Sequence, residues 1–111
     1  MTDKLVVLVT CRSAKEAERI ARALVDARLA ACGNILRTPT RSVYRWKNKV
    51  ESAREVLLLL KTSRGRFTKL QAEIKQLHSY EVPEIIAIPV AAGSPGYLAW
   101  LSESVAPRKK R

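Results

Sequence analysis

Histidine, cysteine and acidic side chains are the scarce residues of this 111-residue chain: one His, two Cys, and 10 Asp and Glu against 21 Lys and Arg. Each scarcity closes a class of function. With a single histidine, no Ser-His-Asp or Cys-His-Asn set stands out, and any acid–base role falls on His78. Cys11 and Cys32 are too few, and too far apart in the expected fold, for a disulfide framework, so both read as reduced. No apolar run approaches the ~20 residues a membrane-spanning helix needs. A strand-like run begins too near Met1 for a signal peptide, and a cytoplasmic location is the default expectation.

The surplus of cations leaves a net charge of +11, which invites a nucleic-acid reading. Its distribution weakens that reading. Residues 1–55 carry 12 basic and 6 acidic groups and residues 56–111 carry 9 and 4, so neither half is the charged one. Only Pro107-Arg108-Lys109-Lys110-Arg111 forms a basic block, read as a solvated tail after a single domain over 1–106. Aromatics with flanking basic residues are missing from the first and third strands, where an RNA-recognition sheet would stack bases.

What is present is a regular alternation of elements. Leu5-Val6-Val7-Leu8-Val9 is β-branched and wholly apolar, the pattern of a central strand. Ser13 and Glu16 form a capping box, and Ala17, Ile20, Ala21 and Leu24 repeat with helical spacing over residues 14 to about 28, with Glu16 outside that stripe. A second strand covers Ala31–Leu36, breaks near Thr38-Pro39-Thr40, where proline removes a ladder donor and forces a bend or an edge, and resumes over Ser42–Trp46. Lys47-Asn48-Lys49 supplies a tight turn, with Asn48 left-handed, into a third strand from Val50 to Thr62. Ser63 is expected to cap a helix from about Arg64 to Leu77, Glu84–Val90 is a fourth strand, and Pro95 begins a short last helix.

The order βαββαβ plus a terminal helix is the ferredoxin-like arrangement, an α+β fold with two helices on one face of an antiparallel sheet. With right-handed crossovers the first strand lies between the third and fourth. Cys11 then falls near the loop His78–Glu84, while Cys32 goes to the opposite edge. The strands are apolar on both faces, so a symmetric oligomer is expected to cover the second face, with Tyr44 and Trp46 near the hairpin tip as anchors.

Several blocks carry a resemblance: Leu29-Ala30-Ala31-Cys32-Gly33-Asn34-Ile35, Ser42-Val43-Tyr44-Arg45-Trp46, Glu55 with Lys61-Thr62, His78-Ser79-Tyr80-Glu81-Val82-Pro83-Glu84-Ile85, and Tyr97-Leu98-Ala99-Trp100-Leu101. In order and spacing they resemble the CutA divalent-cation tolerance family. The resemblance implies a ferredoxin-like subunit, a homotrimer similar in build to PII signalling proteins, a cytoplasmic location, and a link to tolerance of copper and other divalent cations. It also implies a metal site in which Cys11 and His78 take part, although Leu77 and Ser79 stand where bacterial members carry a first histidine and a proline. Two ligands fall short of a closed four-coordinate site, so Glu81, water or a neighbouring subunit would have to complete it.

The expected function is therefore a non-enzymatic, trimeric, metal-responsive or ligand-sensing protein. Its clefts between subunits would be lined by Tyr44, Trp46, Lys49, Tyr80, Glu81 and Glu84, with Lys61 a weaker candidate. Two alternatives come from other classes. One is a basic nucleic-acid-binding module. The other is an acylphosphatase-like hydrolase, which Thr10-Cys11-Arg12-Ser13 suits poorly, having one arginine but no glycines to let backbone amides converge on phosphate.

Overall fold

The computed structural model describes residues 1–108, so Lys109, Lys110 and Arg111 of the expected tail lie outside the described residues. The elements are β1 (Lys4–Cys11), α1 (Ala14–Asp26), β2 (Cys32–Trp46), β3 (Lys49–Ser63), a 3-10 turn (Arg64–Arg66), α2 (Phe67–Leu77), β4 (Ile85–Pro89) and α3 (Pro95–Ser104). The four strands form one antiparallel sheet in the order β2-β3-β1-β4. This is the ferredoxin-like α+β fold, with β1 between β3 and β4 as the crossover rule requires.

Side-chain alternation divides the sheet into a buried and an open face. Leu5, Val7, Val9 and Cys11 of β1 and Val56, Leu58 and Leu60 of β3 are buried in one cluster with Ala17, Ile20, Ala21 and Leu24 of α1 and Leu70 and Ile74 of α2. Both helices thus cover this face. Gly33 of β2 permits the close approach: a Cβ there would lie 3.0 Å from that of Ala21. The other parity of the same strands builds the opposite face. There Leu8 pairs with Leu59 on one side and Ile86 on the other, and Val6 with Ile88. Ile86 and Ile88 remain about half exposed, and Leu36 joins them. α3 reaches only the strand ends, through a small cluster of Ala31, Leu101 and Val105.

Local structure departs from expectation at four points, each for a physical reason. Pro39 interrupts the pairing with β3 between Leu36 and Thr40 on an edge strand, as expected, but β2 runs on through it because at the sheet edge a missing donor costs little. Ser63 makes no side-chain cap, and a 3-10 turn precedes α2, which begins at Phe67. At the hairpin both Lys47 (φ 50°) and Asn48 (φ 66°) are left-handed, the pattern of a type I′ turn, where only Asn48 was expected to be so. Finally, Glu16 is buried beside the apolar stripe of α1, not outside it. Among the described residues no helix is long and apolar enough to cross a membrane.

Candidate functional site

Two segments meet where β1 ends and the loop after α2 begins. Thr10 and Cys11 close β1, and the capping box then starts α1: Glu16 N–H donates to Ser13 Oγ at 3.1 Å. The Glu16 carboxylate reaches back one residue further than a capping box requires. Its Oε1 accepts the Arg12 N–H at 3.2 Å, and its Oε2 accepts the Ser79 N–H at 2.9 Å. Glu16 therefore ties the start of α1 to the far loop. Burial opposes its charge, but the Ser79 and Arg12 hydrogen bonds outweigh burial and hold its carboxyl below the ordinary value.

His78 ends α2 in extended conformation (φ −79°, ψ 141°), which turns its ring back toward β1. Nε2 lies 2.8 Å from the Thr10 carbonyl, and Nδ1 lies 3.1 Å from the Tyr80 backbone N–H. A carbonyl can only accept and a backbone N–H can only donate, so the ring is neutral with its proton on Nε2. The ring also stands 4.7 Å from that of Tyr80. Tyr80 Oη in turn donates to Glu55 Oε2 at 2.7 Å. Burial, reinforced by that bond and the Glu55 charge, raises the Tyr80 phenol well above its ordinary value, so Tyr80 keeps its proton.

Cys11, Glu16 and His78 bring a sulfur, an oxygen and a nitrogen within 4.8 Å of one another. That donor set suits copper or zinc in kind. As folded it does not suit a metal in availability, because both ring nitrogens and both Glu16 oxygens already serve backbone groups. The Cys11 thiol is fully buried, and desolvation, with Glu16 and Glu55 nearby, pushes it up to about 12, so without a metal it keeps its proton.

Beside this cluster opens a cleft of about 760 Å³ between the β2–β3 hairpin and the loop after α2. Tyr44 and Trp46 line its hairpin wall and Tyr80, Glu81 and Glu84 its loop wall. The structure thus brings five of the six expected ligand-contacting residues to one hollow. Lys49, across the turn from Trp46, is not among the lining residues. Lys61 sits away from the cleft and bonds the Asn34 side chain. Cys32 lies at the far edge strand, 3.6 Å from Tyr97 Oη, and both cysteines are free. Glu16, Glu55 and Thr10 were not picked out as site residues. The capping box already marked Glu16 as reaching back, and Glu55 shares the parity of Leu57 and Leu59, which sets a carboxylate at the end of an otherwise apolar row.

Fold and cleft together define a ferredoxin-like protein whose long hairpin flanks a mixed aromatic and acidic hollow. The family description "CutA1 divalent ion tolerance protein" matches residues 5–104, and the chain belongs to that family. A curated relative named divalent-cation tolerance protein CutA, from Thermus thermophilus, is 50% identical over 99 residues, covering 89% of this chain and 95% of that protein. Protein CutA of Mus musculus is 45% identical over 95 residues; the match covers 86% of this chain but 53% of the mouse protein, so the chain spans about half of that length. A solved structure, divalent cation tolerance protein (Cut A1) from Thermus thermophilus, superposes with a TM-score of 0.89 at 48% identity, over 93% of this chain and 99% of that one.

Proposed function

We propose that this chain is a non-enzymatic, homotrimeric, cytoplasmic protein of divalent-cation tolerance that senses a metal ion or small ligand at clefts between subunits, in the manner of PII proteins. The observation that carries this reading is a cleft that one subunit already outlines, bounded by Tyr44 and Trp46 on the hairpin and by Tyr80, Glu81 and Glu84 on the loop, which in this proposal a neighbouring subunit completes. Family membership supports the link to divalent cations. Support for assembly comes from the open sheet face: Ile86 and Ile88 are half exposed beside Leu8 and Val6, which is apolar surface of the kind that subunit contacts bury. Lys49, at the hairpin tip, joins the cleft in this proposal from a neighbouring subunit. The non-enzymatic reading rests on the only histidine, whose two nitrogens are committed to Thr10 and Tyr80 and cannot shuttle protons as folded.

Copper is the cation this proposal names first. Coordination by Cys11 and His78 requires the ring to leave Thr10 and the Tyr80 amide. On this reading metal capture is therefore coupled to movement of the loop that walls the cleft. Calorimetric titration of copper into the wild-type protein, Cys11→Ser and His78→Ala tests it. Loss of binding in both variants supports the assignment, and equal affinity in all three removes Cys11 and His78 as ligands.

A further inference from the structure

A second hollow lies at the corner where α1 ends and α2 begins, about 450 Å³ in volume and sharing no lining residue with the cleft. Four of its lining side chains are cationic, Arg28, Arg66, Lys69 and Arg108, and one, Asp26, is anionic. Ion pairing does not account for this gathering. Among the described residues the ion pairs are Asp3–Lys4, Glu16–Arg19 and Glu18–Arg22, and none of the four cations of the hollow takes part in one.

The backbone holds two of these cations in place. α1 ends in a Schellman motif, with Arg28 N–H donating to Val25 O at 3.1 Å and Leu29 N–H to Leu24 O at 2.9 Å. The left-handed position of that motif, where glycine is favoured, is occupied by Arg28 at φ 60°. From there the guanidinium donates through Nε to Ala106 O at 2.7 Å and through Nη2 to Glu103 O at 2.6 Å, at the end of α3. The Arg28 carbonyl accepts from Arg66 Nε at 3.3 Å. Two guanidinium forks are thus anchored by carbonyls, each with N–H groups to spare. α2 adds Lys69 and carries no acidic residue in its first turn.

Four like charges around one hollow with a single carboxylate repel one another, and a bound anion relieves that repulsion. We propose that this corner is a binding site for a small oligoanion, specifically a chain of two or more phosphate groups, either inorganic or carried by a nucleotide. Guanidinium forks match phosphate oxygens in geometry, and four cations around one hollow, two of them anchored, favour a multiply charged ligand over a single phosphate. The cations converge on one concavity and do not form a stripe. That favours a compact ligand over a nucleic-acid duplex, whose phosphates need a track.

The test is calorimetric titration of the full chain in metal-free buffer at low and moderate salt. The probes are tripolyphosphate, adenosine triphosphate, orthophosphate and a 20-base-pair duplex. Arg66→Gln/Lys69→Gln is compared with a charge-matched pair on the hairpin, Lys47→Gln/Arg54→Gln. The expected result is tripolyphosphate binding at least tenfold tighter than orthophosphate, weakened at least tenfold by the first pair and less than twofold by the second. Equal affinity for tripolyphosphate and the nucleotide assigns recognition to the phosphate chain, and a nucleotide preference lost in the first pair assigns the nucleotide; both outcomes support the site. Equal weakening by the two pairs, no tripolyphosphate binding at millimolar concentration, or tighter binding of the duplex at that corner overturns it. None of these readouts depends on the aromatic and acidic cleft.

Discussion

Tyr80 and Glu55, 25 positions apart in sequence, are joined by a 2.7 Å hydrogen bond from the phenol to a buried carboxylate. The bond ties the loop after α2 to the middle of β3, across the cleft that both residues line. Tyr80→Phe leaves the carboxylate buried without its donor, at an expected cost of about 1–3 kcal/mol. A double-mutant cycle with Glu55→Gln in chemical denaturation checks this. The double variant should lose less than the two single losses combined, whereas additive losses would mean that the two residues act independently.

Acid sensitivity should trace to Glu16. Its folded carboxyl lies below the ordinary value of 4.5, so the stability it contributes is present above about that pH and is lost as pH falls through the lower folded value. Glu16→Gln puts an amide where two backbone N–H groups need oxygens, and should cost about 1–3 kcal/mol at neutral pH. The same variant should show a flatter stability profile between pH 5 and pH 3, which thermal unfolding across that range measures. An unchanged slope would place the acid response elsewhere.

At the alkaline end the first expected source is Cys11, with the raised Tyr80 phenol following at higher pH. The Cys11 thiol is raised from 9.0 to about 12 in the folded protein, so its contribution is complete below pH 9 and fades as pH rises toward 12. The same burial should shield it chemically. In a Cys32→Ser background, Cys11 should resist a thiol reagent at pH 8 until denaturant is added. Prompt labelling of the native protein would contradict the closed cluster of Cys11, Glu16 and His78.

Ile86 offers a test of the assembly. It is 50% exposed in the single subunit and pairs with Leu8 on the open face. In the proposed trimer, Ile86→Lys should leave the far-ultraviolet circular dichroism unchanged while the mass by light scattering falls to the 12.4 kDa of one subunit. A trimer that survives the lysine would mean that subunits meet through another surface.

Much of the architecture was legible in the residue pattern because each element carries its own period. The apolar stretch Leu5–Val9, the helical spacing of Ala17, Ile20, Ala21 and Leu24, and the paired strands around Lys47-Asn48 each depend on neighbours a few positions away. Where reading failed, a distant partner decided. Glu16 is buried because the Ser79 amide meets it from 63 positions away. For the site, five of the six residues expected to contact a ligand line one cleft, and the expectation came from a resemblance and from the junction after α2. Glu55 was missed as a cleft residue because a carboxylate in mid-strand shows its importance only through the phenol that reaches it.

Periodicity, charge and turn chemistry act over a few residues, and so the sequence by itself determined the order of strands and helices, the left-handed Asn48 and the scarcity of histidine that confines acid–base chemistry to one position. Hydrogen-bond partners are set by folding. Only the tertiary structure decided that both His78 nitrogens are spent on Thr10 and Tyr80, that Glu55 floors the cleft, and that Arg28, Arg66, Lys69 and Arg108 come together around one hollow. Those pairings join residues tens of positions apart, and no local rule of chain conformation encodes them.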